Sequence, residues 1–172
     1  HGLYEGAAVP LIERAFPSTT YEGRVDRALL AREVAGRPER LKALEAIVHP
    51  LVTQAEIDFL CEQEASGAAM AVLEIPLLFE TGAESRVDVT VTVSAPEDVQ
   101  RQRVLERDGM SVQKFEALRA RQLGDADRRA RADHVLDSGL TLENLHAQLD
   151  VLVESLKLKD GRVMERLRAS RS

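Results

Sequence analysis

Met70-Ala71-Val72-Leu73-Glu74-Ile75-Pro76-Leu77-Leu78-Phe79-Glu80 is the stretch on which the fold turns. A short apolar run that stops at a proline predicts a strand buried on both faces, its carboxyl end opening into a loop. Helical patterns precede and follow it, so the frame is a parallel α/β sheet. Ligands of open sheets bind just beyond the carboxyl ends of the strands, which sets Pro76 to Glu80 beside a site. Leu73, Ile75, Leu77 and Leu78 read as core. Glu74 and Glu80 read equally as site carboxylates or as core carboxylates with a partner, because carboxylates are rarely buried alone.

Downstream, Val87-Asp88-Val89-Thr90-Val91-Thr92-Val93 alternates with period two and is β-branched at most positions, the clearest strand in the sequence. Ser94 then offers a capping hydroxyl, Pro96 a tolerated proline, and Glu97 and Asp98 acids near the positive end of a dipole. These predict a helix to about Asp108, stopped by Gly109. Ser111 to Arg131 is helical in pattern but poor in apolar residues. Ala132 to Asp137 reads as a last short strand, and a helix from Thr141 carries Leu142, Leu145, Leu149, Leu152, Val153 and Leu156. The basic stretch beyond Lys157 lacks a convincing apolar face and reads as a frayed helical extension or a tail, solvated or partner-binding.

Upstream, residues 1 to 16 are helical in spacing and end in the turn Pro17-Ser18-Thr19-Thr20. Val25 to Ala35 reads as a short helix closed by Gly36. A long helix follows from Pro38 toward Gly67, with Leu44, Ile47, Val48, Leu51 and Val52 recurring at steps of three and four. His49-Pro50 lies inside it, and a proline there predicts a kink or break.

A chain of 172 residues has the size of one domain with a sizeable core. Tryptophan is absent, so that core must be aliphatic. The only cysteine, Cys61, has no internal disulfide partner, and no signal-peptide core or long apolar span appears, which points to a reduced, cytoplasmic protein without a membrane partner. A formal charge of −6 argues against a general nucleic-acid binder.

A locally basic segment stands out against that charge. Residues 101 to 131 hold eight arginines and Lys114 against five carboxylates, nine positive charges less five negative, or +4. Arg103 and Arg107 are four apart and share a helix face. Guanidinium groups at that spacing suit polyphosphate; the alternative is a solvated face laced with ion pairs, Arg103 with Glu106 or Asp108. His49, His134 and His146 have no metal-like spacing, and no nucleophile elbow or glycine-rich phosphate loop is present.

In order along the chain, several elements resemble the dephospho-CoA kinase family. They are Gly23-Arg24-Val25-Asp26-Arg27, His49-Pro50-Leu51-Val52, Val72 to Glu80, Val93-Ser94-Ala95-Pro96, Arg103 with Arg107-Asp108-Gly109, Arg121-Gln122 and Ala132-Asp133. Each is weak alone; their order over nearly the whole chain carries the resemblance. It implies a three-layer α/β P-loop kinase that uses ATP and Mg²⁺ to phosphorylate the 3′-hydroxyl of dephospho-CoA, the last step of coenzyme A biosynthesis. Residues 1–66 would be a helical, CoA-binding cap, 67–108 core strands and helix, 109–131 an arginine-rich lid, and 132–172 a core strand, C-terminal helix and tail, all in one domain. Carried over by position, Arg103 is the catalytic arginine facing the transferring phosphoryl group. Arg107, Arg119 and Arg121 are lid or phosphate contacts, Asp137, Ser138 and Gly139 contact adenine, and His49-Pro50 shapes the cap. The family more often has an Asn-Asn pair after the last strand, so backbone groups are expected to serve the base here.

The resemblance also implies parts this sequence lacks: two first strands, a phosphate loop with its Lys and Ser/Thr, and an Asp-x-Asp whose acid is the general base. The chain opens at His1 inside a helical pattern, so the expectation is a longer natural protein and a chain that is inactive by itself. The alternatives are a non-catalytic nucleotide- or CoA-binding module without a phosphate loop, and a kinase of this fold acting on another nucleoside or nucleotide. The His-Pro and Pro-Leu-Leu-Phe-Glu elements weigh against the second.

Overall fold

The computed structural model describes residues 2–169. They form two compact units, divided between Ala71 and Val72.

The first unit is helical around a small hairpin. A 3₁₀ turn (Gly2–Glu5) and α1 (Val9–Ala15) lead into β1 (Thr20–Tyr21) and β2 (Arg24–Val25), which pair antiparallel. Glu22 and Gly23 form the two-residue connection with φ of 48° and 74°, the left-handed backbone a tight hairpin needs and glycine supplies without strain. This hairpin was not anticipated from sequence, although a glycine at the second turn position signals it. Asp26 starts α2 (Arg27–Val34) by accepting from the N–H groups of Ala28 at 2.9 Å and Leu29 at 3.0 Å. Ala8, Val9, Ile12, Phe16, Val25 and Leu30 are the core, and Leu44, Ile47, Val48 and Leu51 of α3 (Pro38–Ala65) close it. The helix α3 runs unbroken through Pro50, so the proline costs it one ladder bond without ending it. Packing along the apolar stripe outweighs that loss.

The second unit carries the parallel strands. β3 (Val91–Ser94) pairs with β4 (His134–Asp137) in the register Val91↔His134 to Ser94↔Asp137. Between them run α4 (Glu97–Leu105), α5 (Val112–Arg119) and α6 (Asp125–Arg131), the helical crossover a parallel pair requires. α7 (Leu142–Lys157) follows, capped by the Thr141 hydroxyl, which accepts from Asn144 N–H at 3.3 Å.

Four local expectations differ from the structure. Met70–Ile75 is not a strand, and Val72 is 78% exposed. An extended run becomes a strand only when a neighbour pairs with its backbone, and among the described residues none does. Ser94 does not cap α4; its hydroxyl is taken by a carboxylate across the unit. The helical stretch from Ser111 to Arg131 breaks in two, because the Leu123 N–H turns out of the helix to Glu80 Oε1 at 2.6 Å. The basic tail is helical, as one of its two readings had it, but α8 (Val163–Ala169) is anchored rather than frayed: Val163 is buried, and Asp88 accepts from Arg162 N–H at 2.8 Å and Val163 N–H at 3.2 Å.

Candidate functional site

Ser94 and Asp137 sit side by side at the carboxyl end of the parallel pair. The chain leaves β4 by a turn locked onto β3: the Ser138 N–H and hydroxyl both donate to the Ser94 carbonyl, at 2.7 and 3.0 Å. Asp137 Oδ1 accepts from Gly139 N–H at 2.7 Å, which tightens the same turn. Gly139 lies so close to Pro96 that an added Cβ would meet Pro96 Cδ at 2.5 Å.

Arg103 reaches this turn from α4. Its Nη1 lies 3.5 Å from Ser138 Oγ, the outer limit of a hydrogen bond, and the residue is exposed. The ion-pair lacing considered for α4 is not formed at this arginine, since Glu106 accepts instead from Gln102 at 2.9 Å.

A second set of cations arrives from α6. The Ser94 hydroxyl is within 2.8 and 2.9 Å of the two Asp125 carboxylate oxygens, and Arg129 Nη1 donates to the hydroxyl oxygen at 3.2 Å. Arg128 pairs with Asp125 at 3.0 Å and donates to the Leu123 carbonyl at 3.3 Å. Burial opposes ionisation of Asp125. The hydrogen bonds from Ser94 and Arg128 and the charges of Arg128 and Arg129 outweigh it and hold the carboxyl below the usual carboxylate range. The start of α6 is thereby fixed to the end of β3.

The remaining lid arginines are distributed differently. Arg119 pairs with Glu97 at the start of α4, a hydrogen bond and charge that raise its pKa further. Both groups are exposed, so the pair is easily exchanged for another anion. Arg121 lines a shallow cleft of about 310 Å³ with Met110, Lys114, Ala117 and Leu118. Arg107 projects from the end of α4, exposed. Arg131 pairs with Glu84 and lies 4.9 Å above the ring of Phe79. Thus Arg103, Asp137, Ser138 and Gly139 come together, whereas Arg107, Arg119 and Arg121 lie apart from them along the helices. His49 and Pro50 are exposed positions on α3 of the first unit.

Ser94, Asp125, Arg128 and Arg129 form a part of the site that the sequence did not single out by role. Their partners lie 31 to 35 residues apart where they cross between elements, so no local spacing reports them. Glu80 proves to be a partnered carboxylate, the anchor of the α5–α6 loop. Among the described residues, no group of three or more His, Cys, Asp or Glu side chains is placed to hold a metal ion. None of the helices described is long and apolar enough to cross a membrane. Chemically, the arrangement is a set of guanidinium donors converging on the end of a parallel strand pair, suited to phosphate oxygens.

Comparison with known proteins agrees with that chemistry. The family model for dephospho-CoA kinase (CoaE) matches residues 5–143. The dephospho-CoA kinase of Brucella melitensis is 51% identical over 159 residues, which is 92% of this chain and 80% of that protein. That of Rhizobium etli is 49% identical over 159 residues, 92% of this chain and 78% of the relative. A crystal structure of a Thermus thermophilus protein superposes with a TM-score of 0.72 at 35% identity, over 92% of this chain and 81% of that one. Dephospho-CoA kinase from Campylobacter jejuni, 17% identical, shares the fold with a TM-score of 0.60 over 91% of this chain and 79% of its own.

Proposed function

The chain belongs to the dephospho-CoA kinase family and phosphorylates dephospho-CoA in coenzyme A biosynthesis with ATP as donor; from that premise we propose that the cluster at the carboxyl ends of β3 and β4 is where the phosphoryl group is transferred. The α/β architecture with its parallel pair suits a P-loop kinase, here with a helical cap in residues 1–66 and an arginine-rich lid in 109–131. The acceptor in this reading is the 3′-hydroxyl of the dephospho-CoA ribose.

The observation that carries the proposal is Arg103, an exposed residue whose guanidinium extends from α4 to the turn after β4. A transferring phosphoryl group spreads negative charge over its equatorial oxygens, and the protein's work is to position it and stabilise that charge. Arg103 supplies a planar fork of donors for this task. Arg107, Arg119 and Arg121 are the lid contacts. Arg119 can exchange Glu97 for a phosphate at little cost, both partners being exposed. The Asp137-Ser138-Gly139 turn contacts the adenine, and His49-Pro50 shapes the helices that receive the substrate. A divalent cation neutralises the phosphates of ATP in this chemistry; the described residues present no cluster of three ligating groups for it.

Replacing Arg103 by Ala lowers kcat by about 10³-fold or more, the range of a phosphoryl-stabilising arginine. The melting temperature is unchanged, because the side chain is exposed. Steady-state kinetics beside thermal melts test this; wild-type turnover in Arg103→Ala rejects the assignment.

A further inference from the structure

In a parallel ladder the backbone groups of successive residues point alternately to the two edges of a strand. His134 N–H and Ser138 N–H donate toward β3, to Thr90 O at 3.1 Å and Ser94 O at 2.7 Å. Asp137, out of phase with them, turns its N–H and C=O to the opposite edge, where no strand lies among the described residues. Both groups are satisfied by one side chain. Asp137 N–H donates to Gln148 Oε1 at 2.9 Å, and Gln148 Nε2 donates to the Asp137 carbonyl at 3.0 Å. Gln148 Nε2 also reaches the Asn144 carbonyl at 3.3 Å, so the amide is held from its own helix as well.

This is the hydrogen-bond exchange that an adjacent strand would make, performed by a side chain. A primary amide offers a donor and an acceptor side by side in one plane whatever the pH, and the two backbone partners fix which way it faces. Asparagine is one methylene shorter, and glutamate lacks the donor and sets a negative oxygen against the Asp137 carbonyl. The residue so gripped opens the turn Asp137-Ser138-Gly139, whose other anchors are Ser94 O and the Gly139 N–H bond to Asp137 Oδ1.

We propose that Gln148 is a positioning residue for ATP: by clamping both backbone groups of Asp137 from α7, it sets the Asp137–Gly139 turn in the conformation that receives the nucleotide base. The inference rests on the reading of that turn as the adenine contact. Gln148 touches neither nucleotide nor acceptor; it acts through the backbone of Asp137. Its effect therefore falls on ATP binding and purine selectivity, while phosphoryl transfer from bound ATP and the affinity for dephospho-CoA stay near their normal values.

The test uses the full-length kinase and three variants, Gln148→Leu, Gln148→Glu and Gly139→Ala, with KM for ATP, GTP and dephospho-CoA, kcat and melting temperature measured for each. Gln148→Leu raises KM for ATP about tenfold, equivalent to about 1.4 kcal/mol, with kcat and KM for dephospho-CoA within about threefold, and it narrows the ATP-over-GTP preference. Gln148→Glu keeps the side-chain shape but removes the donor, and gives the same pattern at neutral pH. Gly139→Ala tests the turn directly through the clash with Pro96. If Gly139→Ala raises KM for ATP and folded Gln148 variants leave it unchanged, the positioning role is overturned and the adenine reading stands. If neither residue affects KM for ATP, the adenine reading falls and the inference with it. If Gln148→Leu does not fold, Gln148→Glu decides by the same criteria, and a fall in kcat at constant KM overturns the proposal.

Discussion

Asp133 shows how much one carboxylate organises at the amino ends of β3 and β4, opposite the candidate site. Its Oδ2 accepts from the Thr90 N–H at 2.8 Å and the Thr90 hydroxyl at 2.7 Å, and its own N–H donates back to Thr90 Oγ1 at 3.0 Å. The bond from the Thr90 backbone, then that from its hydroxyl, hold the Asp133 carboxyl below the usual carboxylate range against a smaller opposing effect of burial. A folded-state pKa below the unfolded value of about 3.9 means that this stabilisation is complete above that pH and is lost as pH falls through the folded value. Melting temperature followed from pH 7 to pH 2.5 should therefore fall more steeply for wild type than for Asp133→Asn, which is uncharged throughout. Parallel acid limbs would show that Asp133 contributes nothing to the pH dependence. At this scale the sequence displayed the arginines, because their number against a charge of −6 is visible in composition. It hid Asp125 and Asp133, whose partners Ser94 and Thr90 lie 31 and 43 residues away. Gln148 left a trace: on α7 it falls in line with Leu145 and Leu152, a polar residue interrupting an otherwise apolar stripe.

Elements were legible where their signals are local. α7 begins where Thr141 caps it, α2 lies within the predicted helix, β4 lies within its predicted run, and β3 takes only the second half of the alternating run, residues 87–90 staying outside it and Ser94 extending it by one. They were illegible where a distant residue decides. The α5–α6 break depends on Glu80, 43 residues from the N–H it anchors. α8 depends on Asp88, 74 residues before the first N–H it accepts, with Arg166 adding a 3.1 Å bond to the Val87 carbonyl. Asp88→Ala removes an N-terminal cap worth about 1 kcal/mol and loosens the Arg166 contact. The expected result is faster tryptic cleavage at Arg162 and Arg166 with the sites in α4 unaffected, read by limited proteolysis and mass spectrometry. Equal cleavage rates in the variant and wild type would mean that apolar packing at Val163 alone holds the helix.

At the scale of the molecule, the family was legible because its motifs are spread over the chain in a fixed order, and matches to relatives cover 92% of it. The division into two compact units falls inside the apolar run at Ala71, with no glycine- or proline-rich linker, so composition carries no sign of it. The long helix α3, roughly 42 Å at 1.5 Å per residue, belongs with the hairpin and the His49-Pro50 element to the unit assigned to the substrate. On the proposed reading, a cap of this build selects the acceptor. Dephospho-CoA should be phosphorylated at least about a hundredfold more efficiently than AMP, some 2.8 kcal/mol of discrimination. Competition between the two acceptors at fixed ATP measures it, and equal efficiencies would favour a general nucleotide kinase.

Gly139 gives the turn after β4 a history as well as a shape. Every other amino acid carries the Cβ that would lie 2.5 Å from Pro96 Cδ and 3.0 Å from Asp137 Oδ1, so all missense changes at this codon meet the same wall. Removing the Pro96 ring relieves only the closer of the two contacts. In evolutionary terms the positions form an ordered pair: position 96 can drift while 139 stays glycine, but 139 can drift only after 96 has already changed. A lineage that has lost the proline has cleared the first of two obstacles, with Asp137 Oδ1 still to move aside.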